Sequence, residues 1–260
     1  LRLCGSNSFE ILADYATLYA ALCERCLMFV GHRCFRTTLC CHSYILRALG
    51  GSNELIDIRS RGYSNRFIPM FELSPHGADV FVGTGPQYPW GGLYGGQIVA
   101  QALRAATLTV EPDLEPHSIR AYFIRPGDAT EPVRYEVDRM RNGRSFSTRR
   151  VVARQAIGAI LNAESSFQRP EPAASVQSIL MPNVPAADSL EASPWTETFD
   201  RAVVPASQVH GPSRDGAGRT AVWMKVNHEL GDPAEASAQL LHRSWLAFLS
   251  DDIPTEAVMQ

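Results

Sequence analysis

Three groups of residues in this 260-residue sequence carry side chains suited to chemistry. Arg139, Arg141, Arg144, Arg149, Arg150 and Arg154 crowd around Asn142-Gly143, and a guanidinium binds phosphate in bidentate fashion. The same run also fits charges solvated on the surface of a hairpin. Asp251 and Asp252 follow Ser250 at the end of a segment with an apolar stripe. A carboxylate at a helix C-terminus faces the negative end of the helix dipole, at about 0.3–1 kcal/mol, and holds its proton more tightly. Such a group suits general-base work, and it equally fits a solvated, fraying helix end. Cys23-Glu24-Arg25-Cys26, His32, Cys34, Cys40, Cys41 and His42 form the third group. A zinc site would need a second pair at ligand spacing, which is missing, so free thiols and no bound metal are expected. His117, just before a strand-like run, reads as a packed histidine and not a catalyst.

Several familiar devices are absent. Gly83-Thr84-Gly85-Pro86-Gln87-Tyr88 lacks the third glycine of a dinucleotide-binding fingerprint, no Gly-Lys-Ser/Thr follows a glycine-rich loop, and no Gly-x-Ser-x-Gly elbow presents a serine nucleophile. The formal net charge of −3 gives no overall attraction to nucleic acid or an anionic membrane, and the arginine run has no second basic element beside it. The apolar run Tyr15 to Cys23 is far too short to span a bilayer. No secretory signal is evident, and a cytoplasmic address is the default expectation.

The elements that must position these residues follow from pattern. With 45% hydrophobic and 20% charged residues the chain can bury a substantial core. All six cysteines fall within the first 41 residues, so residues 1–69 read as an atypical Cys-rich extension, in which Ile11, Tyr15, Leu18, Leu22 and Cys26 recur at helical spacing. Residues 70–169 are regular: a short strand at Val80-Phe81, a glycine-rich stretch, then a small-residue helix predicted over Gln97 to Thr109. Strand-like runs follow at Ser118–Arg125, Val133–Met140, Ser145–Gln155 and Ala159–Gln168. Asn142-Gly143 predicts a tight hairpin with positive φ, and Ile157-Gly158 turns the next pair. Pro170, Pro172, Pro182, Pro185 and Pro194 interrupt residues 170–200, which read as a linker. In residues 201–260 a strand at Thr220 to Val226 precedes a helix whose predicted start is Asp232-Pro233-Ala234-Glu235, with Leu241, Trp245, Phe248 and Leu249 as its stripe. The order strand then helix thus occurs twice, and a meander follows only the first helix.

Four blocks in sequence, Leu93 to Leu103, His117 to Asp128, Arg141 to Val151 and Ala163 to Gln168, resemble the type II acyl-CoA thioesterases. The resemblance spans Phe71 to Gln168 and, more weakly, Arg219 to Asp252. It implies an α+β hotdog fold, an antiparallel sheet wrapped around a central helix, with one complete hotdog and an incomplete second one. By resemblance, Asp251 of the Ser250-Asp251 pair is the catalytic carboxylate, and Gly95, Gly96 and Gln97 form the helix-start turn whose N–H groups meet an oxyanion. A tight turn allowing close helix packing explains the same glycines. Arg144 and Ser145 are the expected contacts to coenzyme A.

The implied reaction hydrolyses fatty acyl-CoA to free acid and CoA through an oriented water, without cofactor, metal or covalent intermediate. The Thr or Ser and Gln partners of the acid are expected beyond Gln260, so this chain is expected to be impaired. A non-catalytic hotdog module that binds acyl-CoA or a partner subunit is the alternative. Neither nucleic acid nor membrane insertion is expected, and homo-oligomerisation through hotdog sheets is.

Overall fold

The computed structural model describes residues 69–172, 183–194, 196–209, 220–232 and 235–252, together with the backbone of 11–12 and 36–40. Among the described residues, two antiparallel sheets and two α-helices form the main elements, with short 3-10 turns between them. In chain order they are β1 (Ile11–Leu12), β2 (Arg36–Cys40), β3 (Ser74–Pro75), β4 (Val80–Gly83), α1 (Gly95–Thr107), β5 (Glu115–Phe123), β6 (Val133–Asn142), β7 (Phe146–Gln155), β8 (Gly158–Gln168), β9 (Phe199–Val204), β10 (Ala221–Val226) and α2 (Ala236–Leu249). The larger sheet runs β2-β5-β8-β7-β6-β4-β3 and the smaller β1-β10-β9.

The large sheet packs around α1, which touches β4 through β8. Alternation makes this possible: along β7, Ser147, Arg149, Val151 and Ala153 turn inward while Arg150 and Arg154 turn out. Facing them, α1 is buried over Gly96–Leu103 and at Ala105 and Ala106. Its alanines let the sheet approach closely. Two of its buried positions are glutamines: Gln101 is bonded through both ends of its amide, and Gln97 through its oxygen. Gln101 donates to the carbonyls of Met70 (2.6 Å) and Thr84 (2.8 Å) and accepts from the Tyr135 hydroxyl (2.6 Å).

The second helix, α2, packs directly against α1. Phe71 stands edge-on to Trp245 (5.1 Å) and Phe248 (6.2 Å), and Phe248 also meets Phe199 of β9. One continuous core therefore includes residues of both strand-and-helix units. A second, smaller cluster gathers Val204 and Trp223 with Val184, Ala187 and Leu190, so part of the proline-rich stretch packs, and Trp223 donates to the Pro185 carbonyl (2.9 Å).

Four details differ from the sequence expectations. Neither Asn142 nor Gly143 has positive φ; the β6–β7 loop takes three residues, 143–145, and closes with Gly143 N–H on the Phe146 carbonyl (2.9 Å). Glycine is needed at 143 for space, since a Cβ would stand 2.6 Å from that carbonyl. The β7–β8 turn does use positive φ, at Gly158 (+110°). The second helix begins at Ala236, not after Asp232, because Glu235 N–H first closes a turn on the Asp232 carbonyl (2.9 Å). Ile11 and Leu12 form a strand against β10 in place of a helix, and the rest of that expected helix lies outside the described residues. Strand β9 was not expected at all.

Candidate functional site

The start of α1 is a poor helix start on its own. Its N-cap residue, Tyr94, gives no side-chain bond to the first turn, which holds no acidic residue. The Gly95, Gly96 and Gln97 N–H groups belong to the donors that a helix leaves without internal partners. The Asp251 carboxylate, just past the C-terminal end of α2, accepts a hydrogen bond from Gly96 N–H. A Cβ on Gly95 would lie 2.5 Å from Asp251 Oδ2 and 2.8 Å from the Phe123 ring, and one on Gly96 would collide with the Phe248 carbonyl. Side chains at 95 and 96 would therefore hold the two helices apart. Asp251 comes from one strand-and-helix unit and the helix start from the other.

Burial pushes the Asp251 carboxyl up to about 7; the Gly96 hydrogen bond works against this and the neighbouring charge of Asp252 adds to it. The sequence argument for a raised pKa named the C-terminal end of the acid's own helix. In the fold the main cause is desolvation, and the carboxylate meets the positive end of the other helix. Asp252 has a different environment: its carboxylate lies 3.2 Å from the Arg201 guanidinium of β9, both nearly buried. Two adjacent acids are thus separated in role, one beside a cation and one at a helix N-terminus.

Gln97 projects into the core, where its Oε1 accepts from the Tyr88 hydroxyl (2.6 Å) and its Nε2 lies against Gly85. Its side chain is spoken for by the glycine-rich loop, so only its backbone N–H faces the helix start. Tyr88 stacks on Trp90 (5.1 Å, 9°) and leans on Tyr94 (5.6 Å), placing an aromatic loop beside the acid. Gly95 N–H and Gln97 N–H stand in the same first turn, among the donors that a helix does not satisfy internally. A partly buried carboxylate near neutral pKa can take a proton from water, and N–H groups at the helix start beside it can stabilise an oxyanion.

Arg144 and Ser145 are not brought to this place. Asp251 sits by Phe123, at the end of β5, whereas the loop holding Arg144 and Ser145 closes beside Gln168, which pairs with Glu115 at the start of β5. At about 3.3 Å per residue the nine residues of β5 separate the two ends by roughly 26 Å. Most of the arginine run is engaged elsewhere. Arg139 forks onto Asp79 (2.8 and 2.9 Å), Arg154 bonds Glu136 (2.9 Å), and Arg150 bonds Asp138. Arg149, 1% exposed, donates to Thr109, Asn142 and the carbonyls of Thr109, Arg141 and Thr148. Among the described residues no group of three His, Cys, Asp or Glu side chains could hold a metal ion. Most of the cysteine-rich segment lies outside the described residues, which include there only residue 69 and the backbone of 11–12 and 36–40.

Comparison with known proteins bears on the fold and the family. The family described as "Acyl-CoA thioesterase N-terminal domain" matches residues 85–168. Acyl-coenzyme A thioesterase 8 of Homo sapiens is 41% identical over 121 residues, 46% of this chain and 38% of that protein. Acyl-CoA thioesterase II TesB2 from Mycobacterium marinum superposes with a TM-score of 0.61 at 31% identity, covering 71% of this chain and 66% of that one. The tesB protein of Mycobacterium avium subs paratuberculosis superposes at 0.59 with 33% identity, covering 73% of this chain and 69% of that one.

The chain belongs to the type II acyl-CoA thioesterase family. Its fold is the α+β hotdog, with β4 to β8 and α1 as one unit. The chain spans 38% of the human thioesterase's length. Within this family member the acid on α2 and the glycines on α1 were named from motif resemblance. What sequence reasoning missed is Tyr94, the residue that joins them: nothing in its spacing reveals that its hydroxyl reaches the Phe248 carbonyl, 154 residues away.

Proposed function

We propose that this protein hydrolyses acyl-CoA thioesters, with Asp251 as the general base and the N-terminus of α1 as the oxyanion site. The observation that carries the reading is the Asp251 carboxyl, pushed up to about 7 by burial while bonded to Gly96 N–H. A base with a pKa near the working pH combines an adequate ionised fraction with a useful driving force for proton transfer. Asp251 takes a proton from water as its oxygen attacks the thioester carbonyl carbon. The Gly95 and Gln97 N–H groups, with the positive end of the α1 dipole behind them, receive the oxyanion. Collapse of that intermediate breaks the C–S bond; the CoA sulfur leaves and the proton on Asp251 returns to it. The Gly96 N–H stays on the carboxylate and orients it.

Arg144 and Ser145 are retained only as candidate contacts to distant parts of CoA. Assembly through hotdog sheets and a place in fatty acid metabolism belong to the same proposal and rest on the sequence resemblance; a cytoplasmic address stays the default expectation.

The test is free-thiol release from medium-chain and long-chain acyl-CoA by this chain, by the same chain carried on through its downstream codons, and by their Asp251→Asn variants. Thiol release that disappears in the variant supports the reading. Silence from both parents across all chain lengths ends it.

A further inference from the structure

We infer that Tyr94 is a positioning residue: by holding the Phe248 carbonyl it locks the end of α2 against the start of α1 and so fixes Asp251 at the Gly96 N–H. The inference rests on the thioesterase reading above. Tyr94 occupies the cap position of α1 yet gives that helix no side-chain bond. Its hydroxyl donates instead to the Phe248 carbonyl at 3.0 Å. That carbonyl lies in the last turn of α2, where helix carbonyls run out of helical donors, and Asp252 N–H goes to the Leu249 carbonyl (3.1 Å). In the other direction, Asp251 accepts from Gly96 N–H at the start of α1. Each helix end thus exchanges a hydrogen bond with the other, beside those that Ser250 and Asp252 make within the end of α2.

The clasp is tight in both members. Tyr94 is 7% exposed, and its ring stands edge-on to Phe248 at 4.7 Å and against Tyr88 at 5.6 Å, so the phenol has nowhere to swing. The charged and titratable groups around it are Asp251, Asp252, Tyr88 and Arg201. Burial holds the phenol protonated well above the ordinary tyrosine range, so it serves as a neutral donor throughout the working pH range. Asp251 is three residues beyond Phe248, within one helical turn, so any slip of the Phe248 carbonyl carries the carboxylate with it. A shift of about 1 Å at a reacting group is enough to lower turnover by as much as 100-fold. Tyr94 touches no reacting atom; it acts through the position of Asp251.

The experiment is Tyr94→Phe in the thioesterase-active chain, read as kcat, KM, the pH profile of kcat, and the Asp251 titration by carboxyl-carbon NMR. Loss of the hydroxyl is expected to lower kcat by about 10-fold or more with KM little changed. The Asp251 midpoint is expected to fall below about 7, because a carboxylate released from its buried place is better hydrated. Replacing Tyr94 with 4-aminophenylalanine, which keeps a ring donor, should restore both. Should the Phe variant fail to fold, 4-fluorophenylalanine fills the hydroxyl's space without donating and is read in the same way. A folded donor-free variant with parental kcat and parental Asp251 midpoint overturns the inference, even if its thermal stability falls. If the parent itself releases no thiol, the thioesterase reading fails, and the NMR midpoint alone decides the clasp: movement supports it and no movement overturns it.

Discussion

At the scale of single residues, Asp251 sets function against stability. A carboxyl whose folded pKa lies near 7, above the ordinary 3.8, keeps its proton in the folded state over a range where the unfolded chain has lost it. Folding stability therefore falls as pH rises from about 4 to about 7 and levels off above the folded pKa, while activity rises through the same range as the base ionises. Asp251→Asn should remove both dependences. It is expected to lower kcat by roughly 10²- to 10⁴-fold and to gain about 1–4 kcal/mol over the parent between pH 4 and pH 8. Denaturant melts of parent and variant at the two pH values check the stability arm; a constant difference between them contradicts it. The neighbouring glycines give a sharper steric prediction. Gly96→Ala places a methyl group against the Phe248 carbonyl, so it should separate the helix ends and lose activity at normal expression. Asp251 could be nominated from sequence because the Ser250-Asp251 pair carries the resemblance. The physical reason for its raised pKa was not, because burial depends on a helix that the chain supplies elsewhere.

At the scale of elements, β4 to β8, β10 and both helices were readable from alternation and small-residue patterning, with ends that match to within a few residues, whereas β9 was not read and Ile11-Leu12 were read as helix. Element pattern fixes which side chains face inward; it does not say what an inward arginine does. Arg149 and Arg150 are neighbours of the same type on β7, yet one is buried and the other pairs on the surface with Asp138. Arg149 ties the end of α1 at Thr109 to the β6–β7 hairpin through Asn142 and the Arg141 carbonyl. Arg149→Met should thus cost about 2–4 kcal/mol, since it strands several buried acceptors, whereas Arg150→Met should change stability by less than about 1 kcal/mol. Urea unfolding of the two variants separates them; equal effects would mean that the buried network carries no stability. The start of α2 was misread for a similar reason. Asp232 and Glu235 have the composition of a capping box, but a turn between them takes the Glu235 N–H before the helix begins.

At the scale of the whole molecule, two strand-and-helix units share one core and one candidate site. The sequence shows the repeat of strand and helix but not that the second helix packs against the first, because nothing local specifies which apolar stripe meets which. Trp245 marks the junction: it is 1% exposed and stands edge-on to Phe71 (5.1 Å) and Phe248 (5.3 Å), bringing residues before α1 against the helix that carries Asp251. Truncating a buried tryptophan costs about 3–5 kcal/mol through lost transfer energy and the cavity left behind. If the units fold as one, Trp245→Ala should lower the temperature at which circular dichroism of the large sheet is lost, although no strand of that sheet is altered. It should also release Asp251 toward the ordinary carboxylate range, since the burial that raises it is built by the packing of α2 on α1. Two separate unfolding transitions, with the large sheet melting as in the parent, would show that the units are energetically independent and that the site is assembled by docking alone. A single transition displaced as a whole would mean that stability and the position of the acid are set by the same contacts.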